Sequence, residues 1–146
     1  MSGTLSDWRQ PEVIKRVLTT SGTWAVIGLS ANTGRTAYRI GRYLRDRLGM
    51  RVVPVNLRGE DWEGEKGHYR LGDVPAPVNV VDCFVNSQRV GAVVDDVIAE
   101  KDRLGITAVW LQLGVIDEAA AKRARVNGLD VVMDTCPAIE APRLGI

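Results

Sequence analysis

Five short runs of continuous apolar residues, separated by segments of helical spacing, constrain this chain more than any other feature. The runs are 24–29 (WAVIGL), 52–55 (VVPV), 78–85 (VNVVDCFV), 106–113 (ITAVWLQL) and 129–133 (LDVVM). They are rich in valine and isoleucine and apolar on both faces, as a strand buried on both sides of a parallel sheet must be. Between them, residues 35–48 carry Ala37, Ile40, Gly41, Leu44 and Leu48, and residues 88–104 carry Val90, Val93, Val94, Val97, Ile98 and Leu104. Each set recurs every three or four residues and forms one apolar helical stripe. A third helix opens at "IDEAAAKRARVNG", with Asp117 suited to the N-cap, Glu118 to the first turn and Gly128 to the position past the end. A lead helix at about 11–19 starts on Pro11, whose missing N–H is harmless there.

The predicted order is a helix followed by strand–helix repeats, ending on a strand. Alternation of this kind predicts an α/β, Rossmann-like three-layer sandwich: about five parallel strands, in the order 3-2-1-4-5, with helices on both faces. Pro54 cannot donate to a ladder and is expected where its backbone N–H is not needed, near the carboxyl end of the second strand. Residues 57–77, with four glycines and two prolines, break the rhythm and read as a long excursion with a short extra strand near His68–Leu71. No linker divides the 146 residues, so one domain, 1–146, is expected.

A formal charge of +1 gives no global field for nucleic acid or an anionic membrane. The positive charge is locally dense, with five arginines and a single acid, Asp46, between Arg35 and Arg47. Two cysteines make no disulfide framework, no run reaches the ~18–20 apolar residues that cross a bilayer, and "MSGTLSDWRQPEV" lacks the marks of a secretion signal. A cytoplasmic location follows as the expectation.

In such sheets ligands bind beyond the carboxyl ends of the strands, where the first strand of this chain enters "GLSANTGR". Gly28 allows close backbone approach, Ser30, Asn32 and Thr33 offer polar groups, and the following helix aims free N–H groups and its positive end at the loop. Arg35 adds a guanidinium that can grip phosphate oxygens. Two known patterns fail. A Walker loop needs four residues between its glycines and then Lys–Ser/Thr; here five residues separate Gly28 from Gly34 and an arginine follows. The dinucleotide fingerprint needs three glycines and an acid about 20 residues on; Ser30 and Thr33 replace two glycines, and the second strand ends in Asn56 and Arg58. Arginine there favours a ligand with an additional ribose phosphate, NADP or coenzyme A, over NAD.

The blocks "AVIGLSANTGRTAYRIGRYL", "RVVPVN", "AVWLQLGVIDEAAAKRARVNGLDVVMD" and "CPAIE" resemble the small bacterial CoA-binding proteins, a single Rossmann-like domain related to the CoA-binding part of the succinyl-CoA synthetase alpha subunit. The similarity runs from about Trp24 to Glu140. It implies a CoA or acyl-CoA site. Gly28 and the loop Ser30, Ala31, Asn32 and Thr33, with Arg35 behind it, would face the pyrophosphate. Asn56 and Arg58 would lie near the adenosine and its 3′-phosphate. Phe84 and Val85 would border the adenine or pantetheine, and Gln112 and Leu113 the pantetheine path. The chain departs from the family where Val85 and Thr135 replace arginines and Ala31 replaces a proline.

Other residues carry competing readings. Trp110 reads as core, Gln112 as ligand contact or structure, and Trp62 as a lid, a partner contact or a packing anchor. His68, the only histidine, has no companion at metal spacing and no evident nucleophile, so no metal or catalytic residue is expected. Cys83 reads as a buried hydrophobe. Cys136 reads as a thiol near the site mouth, within reach of a mixed disulfide with CoA. Asp134 and Glu140 read as structural. The expected function is recognition of a small-molecule nucleotide without catalysis. The alternatives are a small NADP-dependent reductase using Tyr38, Tyr43 or Tyr69 as proton donor, and a ligand-free interaction module using the arginine face of residues 35–47. Homodimerisation is left open.

Overall fold

The computed structural model describes residues 5–146. Residues 1–4, part of the stretch read for a secretion signal, lie outside the described residues. Five strands, β1 (Thr23–Ile27), β2 (Arg51–Val55), β3 (Val80–Cys83), β4 (Ala108–Leu111) and β5 (Asp130–Met133), form one all-parallel sheet. Between and around them run α1 (Pro11–Thr19), α2 (Thr36–Asp46), α3 (Ser87–Leu104), α4 (Glu118–Val126) and α5 (Pro137–Arg143).

Sequence dictates each helix in local terms. Pro11 opens α1, whose Ile14, Val17 and Leu18 are buried. The stripe Ala37, Ile40, Gly41 and Leu44 turns α2 inward. Asp117 accepts the Ala120 N–H at 3.0 Å to cap α4, and Gly128 follows that helix with φ near +85°. The Asn86 side chain caps α3 by accepting the Arg89 N–H at 3.0 Å, and Gly105 ends it in the left-handed region.

Three layers result. The helices α3 and α4, with Trp8 and the 3-10 turn Leu71–Asp73, cover one face of the sheet; α1, α2 and α5 cover the other. On the second face Trp24 and Trp110 meet with ring centroids 5.9 Å apart. Arg16 joins α1 to β5 through paired bonds of 3.0 and 2.9 Å to Asp130.

The strand order is β2-β1-β3-β4-β5. The expected order 3-2-1-4-5 is corrected in one respect, because β3 lies between β1 and β4 rather than outside β2. Pro54 supplies the physical reason. Its carbonyl accepts the His68 N–H at 3.1 Å on the side away from β1, so the N–H it lacks would face outward too. An interior β2 would miss a ladder bond there, whereas an edge strand does not. β3, buried along its whole length, suits the interior. The extra strand expected near His68–Leu71 reduces to one bridge, Val55 to His68, followed by the 3-10 turn. The chain also continues past β5 into α5, where a strand was expected to end it.

Candidate functional site

The chain leaves β1 toward β2 on one side of the sheet, while β3 pairs on the other, so the ends of β1 and β3 form a topological switch point. Gly28 stands at this junction. Its N–H donates to Val55 O at 2.7 Å, and the Phe84 N–H donates to Ile27 O at 2.8 Å. With φ near +99°, a Cβ at residue 28 would meet Phe84 O at 2.4 Å. Only glycine lets the three strand ends come this close.

The loop that follows is held by its own side chains. Ser30 Oγ accepts the Asn32 N–H at 3.2 Å, and Asn32 Oδ1 accepts the Gly34 N–H at 3.0 Å. These bonds deliver Arg35 to the N-cap of α2, where no side chain caps the helix. The opening N–H groups of α2 are thus left without a side-chain acceptor, with the positive end of the helix dipole behind them.

Asn56 ties the end of β2 to this loop. Its Nδ2 donates to Leu29 O and Glu60 O, both at 2.9 Å, and its Oδ1 accepts the N–H groups of Arg58 at 3.1 Å and Glu60 at 2.8 Å. All of its hydrogen-bonding capacity is spent inside the protein. Asn56 therefore positions the turn carrying Arg58.

These elements enclose a cleft of about 1150 Å³. Loop residues 28–35 and the ends of β1 and β3 form its back, the excursion 57–71 one wall and the first turns of α3 the other. Four arginines, Arg35, Arg58, Arg70 and Arg89, line it against two acids, Glu60 and Asp96. Arg35, Arg58 and Arg89 have no ion pair among the described residues, and Arg70 makes only a 3.8 Å contact with Asp73. The lining also includes Ile27, Val55, Leu71, Phe84, Val85 and Val93, which are buried or half-buried, whereas the four arginines are exposed.

Of the residues singled out from the sequence, Gly28, Ser30, Ala31, Asn32, Arg35, Asn56, Arg58, Phe84 and Val85 line this cleft. Thr33, Gln112 and Leu113 do not. Thr33 is exposed, and Leu113 is 62% exposed beyond β4. Gln112 is buried and donates to the fully buried Asp82 carboxylate at 2.8 Å.

The sequence reading missed Arg70, Arg89 and Asp96, and named Tyr69 only as a proton donor for the reductase alternative. Arg89 and Asp96 lie on the polar side of α3's stripe, which reads as a solvated helix face. Their spacing with Ala92 and Val93 (i, i+3, i+4, i+7) was the available signal. Val85 leaves the cleft without the family's arginine, and Arg89 supplies a cation one turn into α3. Thr135, which stands in place of the second arginine, is buried and donates its hydroxyl to Glu140.

Trp62 is buried against α2, its ring 5.9 Å from Tyr38 and 5.2 Å from the Arg45 guanidinium, so it anchors the excursion. Tyr38 and Arg45 also hold Glu63, keeping its carboxyl below the usual range. Cys136 is 7% exposed, burial raises its thiol, and it does not line the cleft, which removes the basis for a mixed disulfide. Asp134 accepts the Gly114 N–H at 2.8 Å, a structural role. Among the described residues no His, Cys, Asp and Glu side chains gather to hold a metal ion, and no helix is long and apolar enough to cross a membrane.

Comparison with known proteins gives one consistent picture. The family described as "CoA binding domain" matches residues 22–142. A Bacillus subtilis (strain 168) protein described as uncharacterized YneT is 29% identical over 123 residues, 84% of this chain and 87% of its own. A solved structure of a hypothetical protein from Pyrococcus horikoshii OT3 superposes with a TM-score of 0.83 at 31% identity, over 94% of this chain and 93% of that one. A Thermus thermophilus structure matches with a TM-score of 0.81 at 33% identity, over 92% and 98%. The fold also matches part of a Ca. Korarchaeum cryptofilum acetyl-coenzyme A synthetase solved with phosphate and ADP, at 24% identity and a TM-score of 0.63; 80% of this chain covers 26% of that protein.

Proposed function

The chain belongs to the CoA binding domain family, and from that premise we propose that it binds coenzyme A or an acyl-CoA in the cleft at the ends of β1 and β3. One observation carries the reading: Arg35, Arg58 and Arg89, which make no ion pair among the described residues, line a cleft beside an uncapped helix start. An empty cradle of like charges is costly unless an anion neutralises it. In this reading the pyrophosphate lies on loop 28–35 with Arg35, where amide donors and the helix dipole act together. The 3′-phosphate lies near Arg58, whose turn Asn56 holds, with Arg70 and Arg89 within the same cleft. No carboxylate stands at the end of β2 to grip the free hydroxyls of an NAD ribose. Recognition, with strand ends and α3 shaping an apolar slot beside the phosphates, is the function these features support.

Gentle-ionisation mass spectrometry of freshly purified protein tests this directly. The expected species is a CoA or acyl-CoA adduct, and calorimetry is expected to show CoA binding at least about tenfold tighter than dephospho-CoA, since charge-assisted contacts to one phosphate are lost. Retention of NADP in preference to CoA, or equal affinity for the dephospho form, would overturn the assignment.

A further inference from the structure

Two residues break local rules, and one contact accounts for both. Gly41 sits in the middle of α2, where glycine weakens a helix more than any residue but proline. A Cβ there would meet the Trp62 ring at 3.0 Å and Leu29 Cδ2 at 3.2 Å, so the tryptophan fills the place a side chain would take. Glu63 follows Trp62 with φ near +48°, left-handed backbone that a glutamate rarely adopts. It opens the tight turn Glu63–Gly64 between Trp62 and Glu65, whose backbones exchange bonds of 2.9 and 2.8 Å. A turn of this kind favours asparagine or glycine at that place. Glutamate has what they lack, a side chain long enough to reach α2. There the Tyr38 hydroxyl and Arg45, the latter at 3.2 Å, hold its carboxylate, and the same two side chains face the Trp62 ring.

The hairpin behind this tip is closed along its length and rooted at the cleft. Asp61 accepts the Gly67 N–H at 2.9 Å, and Gly67 lies so near the Glu60 carbonyl that a Cβ would meet it at 2.0 Å. The hairpin leaves the end of β2 at Asn56 and returns to it at His68, whose carbonyl accepts the Asn56 N–H at 2.9 Å. Arg58 and Arg70 stand just beside those two roots and line the cleft. The far end grips α2, the helix whose start carries Arg35. We propose that Gly41, Trp62 and Glu63 are positioning residues: they clasp the excursion to α2 and so fix the gap between Arg35 and the wall carrying Arg58 and Arg70. The inference rests on the CoA reading and adds what sets the spacing of its two phosphate sites. Stability alone would be served by alanine at 41 and by asparagine or glycine at 63. Both are given up for the one contact that joins two sides of the cleft, and broken local rules of this kind are expected where function demands them.

Calorimetry with CoA and dephospho-CoA reads the spacing, because a displaced wall loses the 3′-phosphate and leaves the pyrophosphate site in place. Gly41→Ala and Glu63→Gly each remove a local penalty of helix or turn, so both are expected to fold. Each is expected to lower the preference for CoA over dephospho-CoA from at least about tenfold to about threefold or less, through weaker CoA binding. Adding Trp62→Phe to Gly41→Ala makes room for the new methyl group and keeps a ring against Tyr38 and Arg45. That double variant is expected to return to within about twofold of the wild-type preference. A preference that survives in either single variant, or a loss shared equally by CoA and dephospho-CoA, overturns the clasp. So does a double variant no better than Gly41→Ala, which would place the effect at Leu29. In each of these cases the wild-type preference, measured alongside, leaves the CoA reading standing. A wild-type protein without that preference brings down both.

Discussion

Gln112 donates its Nε2 hydrogen to the Asp82 carboxylate at 2.8 Å across neighbouring strands, with both side chains buried. The second carboxylate oxygen of Asp82 has no partner. Burial dominates, and the carboxyl is pushed up to about 7, although the bonds from Gln112 and the Cys83 backbone pull it the other way. The folded value lies above the unfolded one, so the native state favours the protonated acid. The contribution to stability is full below pH 4 and is lost as pH rises through about 7.

Asp82→Asn is therefore expected to be more stable than the wild type at pH 8, with the gain shrinking toward pH 4. The full span is on the order of 4 kcal/mol, from ~1.4 kcal/mol per pH unit. Urea denaturation of both proteins at pH 4.5, 6 and 8 checks the slope. A difference that does not change with pH would show that Asp82 does not titrate in this window.

Gln112→Ala removes the donor from a buried acceptor, and a loss of about 1.5–3 kcal/mol is expected at pH 8. The Asp82 carboxyl is expected to titrate higher still, because the bond that lowers it is gone. Carbon-detected NMR of the carboxyl group reads this directly. CoA affinity is expected to be little changed, since Gln112 does not line the cleft.

Much of the framework was legible because periodicity reports burial, and burial fixes strands and helices. The runs of Val, Ile and Trp became the five strands, and the stripe Ala37–Leu44 became the inner face of α2. Strand order is not written in periodicity; Pro54, read only as lying near the carboxyl end of its strand, was the available signal for an edge position and was not used as one. α5 was not anticipated: it is only seven residues long, and although Pro137 sits at its opening turn, where a missing N–H is harmless, Pro142 lies inside its last turn, where it removes one intrahelical bond. In the site, loop 28–35 and the turn at Arg58 were legible from glycine, cap residues and charge. Arg70 was not, and Tyr69 was named only for the reductase alternative, because the excursion that carries them has no repeat to read and its course depends on Trp62 packing onto α2.

Arg35→Glu is expected to weaken CoA binding at least about a hundredfold, because it replaces a bidentate phosphate partner with a repelling charge. Lys122→Glu makes the same charge change on α4, beside Glu118 at 3.7 Å and away from the cleft, and is expected to stay within about twofold. Calorimetry at one ionic strength compares them. Equal losses would mean that overall charge, and not the loop, governs affinity.

Two glycines in the same loop should respond differently to alanine. At Gly28 the backbone is left-handed and the added Cβ would press on Phe84 O at 2.4 Å, so Gly28→Ala is expected to cost about 3 kcal/mol or more and to displace the strand ends that shape the site. At Gly34 the nearest atom is Asn32 Oδ1 at 3.4 Å, and a change below about 1 kcal/mol is expected. Thermal unfolding of the two variants gives the comparison. A well-folded Gly28→Ala protein with wild-type affinity would contradict the close junction of β1 with β3.

Asn56 yields the sharpest test of why the dinucleotide acid is absent. Asn56→Asp keeps the acceptor for the N–H groups of Arg58 and Glu60, but turns the other oxygen toward the carbonyls of Leu29 and Glu60, which it can meet only by repulsion or by taking up a proton. The expected result is a loss of about 2–3 kcal/mol at pH 8, recovered in part below pH 5 where the acid is protonated and can donate one bond. Asn56→Ala loses all four bonds and is expected to lose stability at every pH, with CoA binding weakened because the Arg58 turn is no longer tied to loop 28–35. Denaturation at pH 5 and pH 8 separates the two variants. If Asn56→Asp matched the wild type at pH 8 and acquired affinity for NAD, Asn56 would be a ligand-selecting position and not the tie between the two loops.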